Sequence, residues 1–205
     1  KKPDLLYKRV VELDVRVDWK GNELSYLNKL ETREKLQQLF DAGIRSIAVV
    51  FMHSYKFPKH EKQVGRIAKK IGFKQISLSH EVSPLVKFIS RGDTTVTDAY
   101  LSPLLHRYVE QIRSAFDDNL NHLNLLFMTS SGGLTSANLF RGKDAILSGP
   151  AGGIIGAIKT SEYSGAKKII TFDMGGTSTD VAHYSGIVEK EFETEIAGIR
   201  MRVPM

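Results

Sequence analysis

The chain contains no cysteine, which excludes disulfides, thiolate nucleophiles and thiolate metal sites. Long hydrophobic runs are also missing. No stretch approaches the ~20 apolar residues of a membrane-spanning helix, and Lys1-Lys2-Pro3-Asp4 lead into no apolar leader. A membrane partner is therefore not expected, and the cytoplasm is the expected location. The histidines (His53, His60, His80, His106, His122 and His183) show no metal-ligand spacing such as H-E-x-x-H. His53 and His80 each follow an expected strand and could reach a cleft, although surface or hydrogen-bonded roles are the simpler reading. No P-loop lysine, Rossmann G-x-G-x-x-G or Ser-His-Asp arrangement occurs. The surplus of +6 does not form a nucleic-acid platform. Lys59, Lys62, Arg66, Lys69 and Lys70 recur at helical spacing as a solvated face, with no aromatic residues between them for base stacking.

What the 205 residues do contain is a core's worth of apolar side chains, 41% of the total, in α/β order. Val11, Leu13, Val15 and Val17 alternate with charged residues as in a half-buried strand. Leu36, Leu39 and Phe40 follow helical spacing after Thr32 and Glu34, with Gly43 placed as a left-handed cap. The near-continuous apolar run within 44–52 suits a parallel strand covered on both faces. A helix through Val64, Ile67, Ala68 and Ile71 closes at Gly72, and a strand follows at 75–79. A long helix is expected over 94–117, carried by Val96, Ala99, Tyr100, Leu104, Tyr108, Ile112 and Phe116, with Pro103 kinking or restarting it. Strands at 125–128 and 168–174 and a helix at 150–161 continue the alternation, which implies a parallel sheet with helices. From Thr179 to Met205 strand signals and turns replace helices, so an antiparallel hairpin region is expected near the C-terminus.

The most informative string is Thr171-Phe172-Asp173-Met174-Gly175-Gly176-Thr177-Ser178-Thr179-Asp180-Val181. An apolar strand delivers Asp173 to a paired-glycine turn and a second apolar strand leaves it. Glycines let backbone N–H groups approach phosphate oxygens with no Cβ in the way. Asp173 suits Mg²⁺ as an oxygen ligand, directly or through water, and the Thr177 hydroxyl adds a hydrogen bond. An ordinary β-hairpin turn is the plainer alternative. Ser148 to Gly153, before a helix rich in small residues, reads either as an anion-binding helix start using Gly149 and Gly152 or as close packing, with packing favoured. Ser130-Ser131-Gly132-Gly133 sits at the carboxyl end of a strand, where α/β proteins place ligand contacts; a plain turn is equally compatible. Arg91-Gly92-Asp93 is read as coincidence rather than an adhesion tripeptide, with Asp93 or Thr94 as a helix N-cap.

Four blocks together carry a family resemblance. They are Phe172 to Val181, Leu147-Ser148-Gly149-Pro150-Ala151-Gly152-Gly153, Thr129-Ser130-Ser131-Gly132-Gly133-Leu134, and Arg91-Gly92-Asp93-Thr94-Thr95 followed by Asp98-Ala99-Tyr100-Leu101. In order and spacing they resemble the hydantoinase A/5-oxoprolinase family of ATP-dependent cyclic-amide hydrolases. The resemblance implies actin-like ATPase (ribonuclease H-like) lobes, with 1–90 closing the N-terminal lobe and 91–205 opening the hydantoinase A domain. It implies ATP and Mg²⁺ as cofactors. Asp173 would serve as metal ligand and, with Thr177, as catalytic residue, Gly175, Gly176 and Thr177 as the phosphate cradle, and Asp180 as brace or metal contact. Arg91 would pair with a substrate carboxylate, and Ser131, where the family often has Asp or Asn, is a weaker substrate contact. A second hydantoinase-type subunit is a further implied partner. The chain has a single D-x-G-G-T loop where family members carry two, so an internal piece with half an ATP site is expected. An acetone-carboxylase-like subunit and a non-catalytic actin-like scaffold remain the alternatives, with sugar kinases behind them.

Overall fold

The computed structural model describes residues 5–116, 124–176 and 178–205, so Asp117, His122 and Thr177 lie outside the described residues. Its first half is built on one parallel strand pair. β3 (Ser46–Val49) lies in register with β4 (Gln75–Leu78), Ser46 opposite Gln75 and Val49 opposite Leu78. Helices α1 (Lys29–Asp41) and α2 (Lys59–Ile71) pack against one another, and α2 packs on the strands. Leu36, Ile47, Val49, Val64, Ala68, Phe73 and Leu78 form the apolar core between them. The Asn28 side chain caps α1 by accepting from the Leu30 and Glu31 N–H groups. Gly43, just past Ala42 at the end of α1, and Gly72 at the end of α2 both take the left-handed backbone their positions suggested (φ +87° and +112°).

The other face of the strand pair is covered by α4 (Phe88–Ser114), which follows the short α3 (Ser79–Val82). This face is polar. The Ser46 hydroxyl donates to the Ala99 carbonyl, and Ser77 Oγ donates to Asp98 Oδ2 at 2.7 Å. The α4 stripe of Arg91, Thr94, Thr95, Asp98 and Ser102 is buried, whereas Tyr100, Leu104 and Tyr108 are exposed. The helix begins six residues before the expected start, so Asp93 and Thr94 are interior positions rather than caps. Thr94 donates to the Ser90 carbonyl and Asp93 pairs with Arg200 at 2.9 Å. Pro103 lies inside the helix as expected.

Beyond the strand pair, the single parallel sheet is not observed. The described strands form five two-stranded ladders, and only β3–β4 is parallel. β1 (Arg16–Val17) and β2 (Glu23–Ser25) make a short antiparallel pair, shorter than the alternation at 11–17 suggested. β5 (Leu126–Met128) returns as β6 (Leu134–Ser136), a hairpin made by a left-handed Gly132 (φ +80°). α5 (Gly142–Ala145) packs on α4 and is followed by α6 (Ser148–Ser164), which contains the whole Ser148–Gly153 block rather than following it. β7 (Ile169–Met174) and β8 (Thr179–Tyr184) form the expected antiparallel hairpin, and β9 (Thr194–Ile196) pairs with β10 (Ile199–Met201), which rests on α4. No described helix is long and apolar enough to cross a membrane.

Candidate functional site

The β7–β8 hairpin brings Asp173 and Asp180 directly opposite one another, one position from the ends of the two strands. Side chains so paired have Cβ atoms about 4.5–5.5 Å apart, and like charges at that spacing destabilise a ladder. Both carboxylates face a groove of about 680 Å³ between the hairpin and α6, together with Pro150, Gly153, Ile154 and Thr171. Among the described residues neither has a salt-bridge partner. Two uncompensated carboxylates with room beside them suit a hard divalent cation that retains water or phosphate oxygens, as Mg²⁺ does. No set of three His, Cys, Asp or Glu side chains suited to a metal occurs among the described residues, so a cation here would depend on such additional oxygens.

The turn between these strands does not require both its glycines. Neither Gly175 nor Gly176 has a left-handed backbone. The Gly175 N–H closes the turn by donating to the Ser178 carbonyl at 2.9 Å, so it is not directed outward as a phosphate donor. A Cβ at Gly176 would meet nothing within 4 Å. The fold itself leaves that space open, which is what close approach of a ligand to backbone needs.

α6 gathers the remaining sequence motifs. A Cβ at Gly152 would lie 3.5 Å from the Met128 side chain, and one at Gly153 would lie 3.8 Å from Asp173 Oδ2. A Cβ at either position would make only ordinary contact, so the approach of α6 to β5 and β7 does not by itself demand glycine there. Gly149 faces open space. The Ser131 loop is the β5–β6 turn, with Thr129 Oγ1 and Ser131 Oγ 2.9 Å apart and Gly132 against Ile155 of α6. Ser130 is buried and joins this loop to the start of α6. Its hydroxyl donates to the Asp144 carbonyl at 2.8 Å and accepts from the Leu147 N–H at 3.1 Å. Asp173, Asp180, Gly152 and the Ser131 loop thus converge around α6.

Arg91 does not join them. It is 0% exposed, and its guanidinium is saturated by other groups. Nε donates to Ser79 Oγ at 3.0 Å, Nη1 to the Leu85 and Val86 carbonyls at 2.7 and 3.5 Å, and Nη2 to the Phe51 and Met52 carbonyls at 2.5 and 3.0 Å. Five donors with five acceptors leave no fork for a substrate carboxylate. Arg91 instead ties together the chain leaving β3, α3 and the α3–α4 connection. Burial lowers its pKa, and the charges of Glu61 and Tyr55 act in the opposite direction.

Sequence reasoning missed the buried acid linked to Arg91 through Ser79. Glu61 of α2 is wholly buried among four donors. The Phe51 N–H (3.0 Å) and Ser79 hydroxyl (2.5 Å) reach Oε1, and the His80 N–H (3.0 Å) and Nδ1 (2.7 Å) reach Oε2. The only available signal was a glutamate on the buried side of an amphipathic helix.

Comparison with known proteins gives the chain its family. A hydantoinase/oxoprolinase family model matches residues 91–205, and the model of the hydantoinase/oxoprolinase N-terminal region matches 1–72. A 5-oxoprolinase of Dictyostelium discoideum is 43% identical over 99% of the chain, which covers 19% of that relative. An ATP-dependent acetone carboxylase in its nucleotide-free form superimposes with a TM-score of 0.82 at 29% identity, over 94% of this chain and 28% of that one. An ATP-dependent caprolactamase from Pseudomonas jessenii gives the same TM-score at 28% identity and the same coverage. The chain spans about a fifth of the length of the curated relative given above. By these matches, which between them take in most of its length, the chain belongs to the hydantoinase/oxoprolinase family.

Proposed function

We propose that this chain supplies part of the nucleotide-handling lobe, of actin-like architecture, of an ATP-dependent enzyme that opens a cyclic amide such as 5-oxoproline or a hydantoin. The observation that carries the reading is the Asp173–Asp180 carboxylate pair beside the open glycine turn and the first turns of α6. Asp173 and Asp180 would hold Mg²⁺, which when bound neutralises phosphate charge. The Gly175-Gly176 turn would admit the phosphates, with Thr177 beside it in sequence. In phosphoryl transfer most of the catalysis is positioning and charge stabilisation, so a hairpin carrying two facing carboxylates is an apt component. Phosphorylation of the amide oxygen makes the ring carbon electrophilic, and water then opens the ring.

Identity of 43% to a 5-oxoprolinase, against 29% to an acetone carboxylase, favours an amide over a ketone substrate. A second, hydantoinase-type subunit fits the same reading. The test is phosphate release by the complete parent chain with 5-oxoproline and hydantoin side by side, with and without Mg²⁺. Stimulation by 5-oxoproline that is lost in Asp173→Ala supports the proposal. Bicarbonate-dependent ATP hydrolysis instead would move the chain to the carboxylase class, and full activity in Asp173→Ala would leave a scaffold.

A further inference from the structure

The carboxyl ends of parallel strands are where α/β proteins bind ligands, and here those ends hold a second polar cluster apart from the phosphate hairpin. Ser54 follows β3, while Ser79 and His80 follow β4. Glu61 and Arg91 enter from α2 and α4. Every member is paired except one atom. His80 Nδ1 lies against the Glu61 carboxylate, which only accepts, so Nδ1 carries a proton, and in the neutral imidazole Nε2 is then the acceptor. That Nε2 is buried and has no hydrogen-bond partner, in a side chain only 10% exposed. A buried imidazole acceptor fixed by a carboxylate and left unfilled is the geometry of a general base awaiting its proton donor.

An exposed ion pair stands beside it. Glu81 Oε1 stands 3.8 Å from Nε2, and the other oxygen of Glu81 contacts Arg141 at 3.5 Å, with both side chains well exposed. Such surface pairs contribute little and open easily. Arg141 immediately precedes α5, and α5 leads into α6, whose Gly153 faces Asp173. Arg141 and the phosphate hairpin are thus linked along the chain through α5 and α6.

We propose that His80, oriented by Glu61, accepts the ring N–H proton of the cyclic amide, which binds at the carboxyl ends of β3 and β4 beneath the Glu81–Arg141 pair. This rests on the cyclic-amide reading above. As the amide oxygen forms its bond to the γ-phosphorus of the nucleoside triphosphate, the bond to the bridging oxygen breaks and the diphosphate leaves with that electron pair. The N–H electron pair becomes the C=N bond, and the proton passes to His80 Nε2.

The experiment uses the complete parent chain. With 5-oxoproline, His80→Gln should lose about 100-fold or more in kcat, while the Mg-ATP-induced rise in Tm is unchanged. His80→Ala should regain at least tenfold on addition of imidazole, which a merely structural role would not produce. As a readout independent of variants and of turnover, exchange of the imidazole C2 hydrogen in wild type, followed by mass spectrometry, should slow at His80 when 5-oxoproline is added without nucleotide. His80→Gln within threefold of wild type, or unprotected His80 at saturating 5-oxoproline, overturns the assignment. If neither 5-oxoproline nor hydantoin stimulates wild type, the cyclic-amide reading fails and takes this inference with it. Stimulation that survives His80→Gln removes this inference alone.

Discussion

Replacing Arg91 by methionine removes a guanidinium while keeping most of the side chain's volume. It strands the Phe51, Met52, Leu85 and Val86 carbonyls in the interior and removes the positive charge that faces the buried Glu61 carboxylate across Ser79. Removing one partner of a direct buried ionic pair costs about 3–5 kcal/mol, which bounds the charge part from above because Ser79 Oγ stands between Arg91 and Glu61. Each stranded acceptor carries a penalty of about 1–3 kcal/mol where water cannot reach it. These penalties overlap because relaxation around the vacated site is shared, so we expect a total near the pair value. For a chain of this size, about 3–5 kcal/mol lowers Tm by roughly 6–20 °C. Arg91→Lys should fall between, since one ammonium can serve at most three of the five acceptors. Thermal unfolding followed by circular dichroism, paired with urea titration, measures both. A double-mutant cycle with Glu61→Gln isolates the coupling. A loss below about 1 kcal/mol in Arg91→Met, or no coupling to Glu61, would refute the picture of a saturated internal tie.

Asp180→Asn should stabilise the β7–β8 hairpin in the absence of divalent cations by up to about 1 kcal/mol, because it relieves the facing charges. Mg²⁺ should raise the Tm of wild type and not of this variant; equal responses would count against a cation between the two carboxylates. Gly142→Ala should be strongly destabilising, since the new Cβ would stand 2.6 Å from the Ser102 N and 2.7 Å from the Leu101 Cβ, where α5 meets α4. Unchanged urea unfolding would disprove that contact. The Lys87 ammonium, the leading cause, holds the Glu193 carboxyl below its usual value, assisted by Arg202 and Arg200. A depressed carboxylate contributes stability in full above its unfolded value of about 4.3, and that contribution is lost as pH falls through the lower folded value. The Tm gap between wild type and Glu193→Gln should therefore narrow as pH falls below about 4.3, and a constant gap would show that the pairing has no part in acid stability.

Local chemistry was legible where one residue decided the geometry. Gly43 and Gly72 ended their helices as expected, and the apolar strand reaching Asp173 returned as a hairpin. Pairing was not legible, because strand spacing does not say which strands meet. Leu134–Ser136 was given no strand in the sequence reading, yet it pairs with β5 through the turn that Gly132 makes. α4 shows the sharper failure. Hydrophobic periodicity selects a face of Val96, Ala99, Tyr100, Leu104, Tyr108, Ile112 and Phe116, but of these only Ala99 is buried and four are exposed, while Arg91, Thr94, Thr95, Asp98 and Ser102 lie inside. A polar stripe is invisible to a method that looks for apolar ones, and it becomes stable only because each hydroxyl and charge finds a partner supplied by distant segments. Arg91 was singled out for the right motif and given the wrong task for the same reason. The Asp173–Asp180 pair could be suspected from spacing, but their exact opposition needed the register.

The β7–β8 hairpin has a consequence for anyone who prepares this chain alone. Ile170, Phe172, Met174 and Val181 are each more than 60% exposed, and neither strand has a second described neighbour in its ladder. A greasy two-stranded ribbon with open edges templates the addition of further strands. At bench concentrations such a preparation should drift toward turbid, thioflavin-positive material, and a lysine at Phe172 should slow that drift without touching the carboxylates on the opposite face.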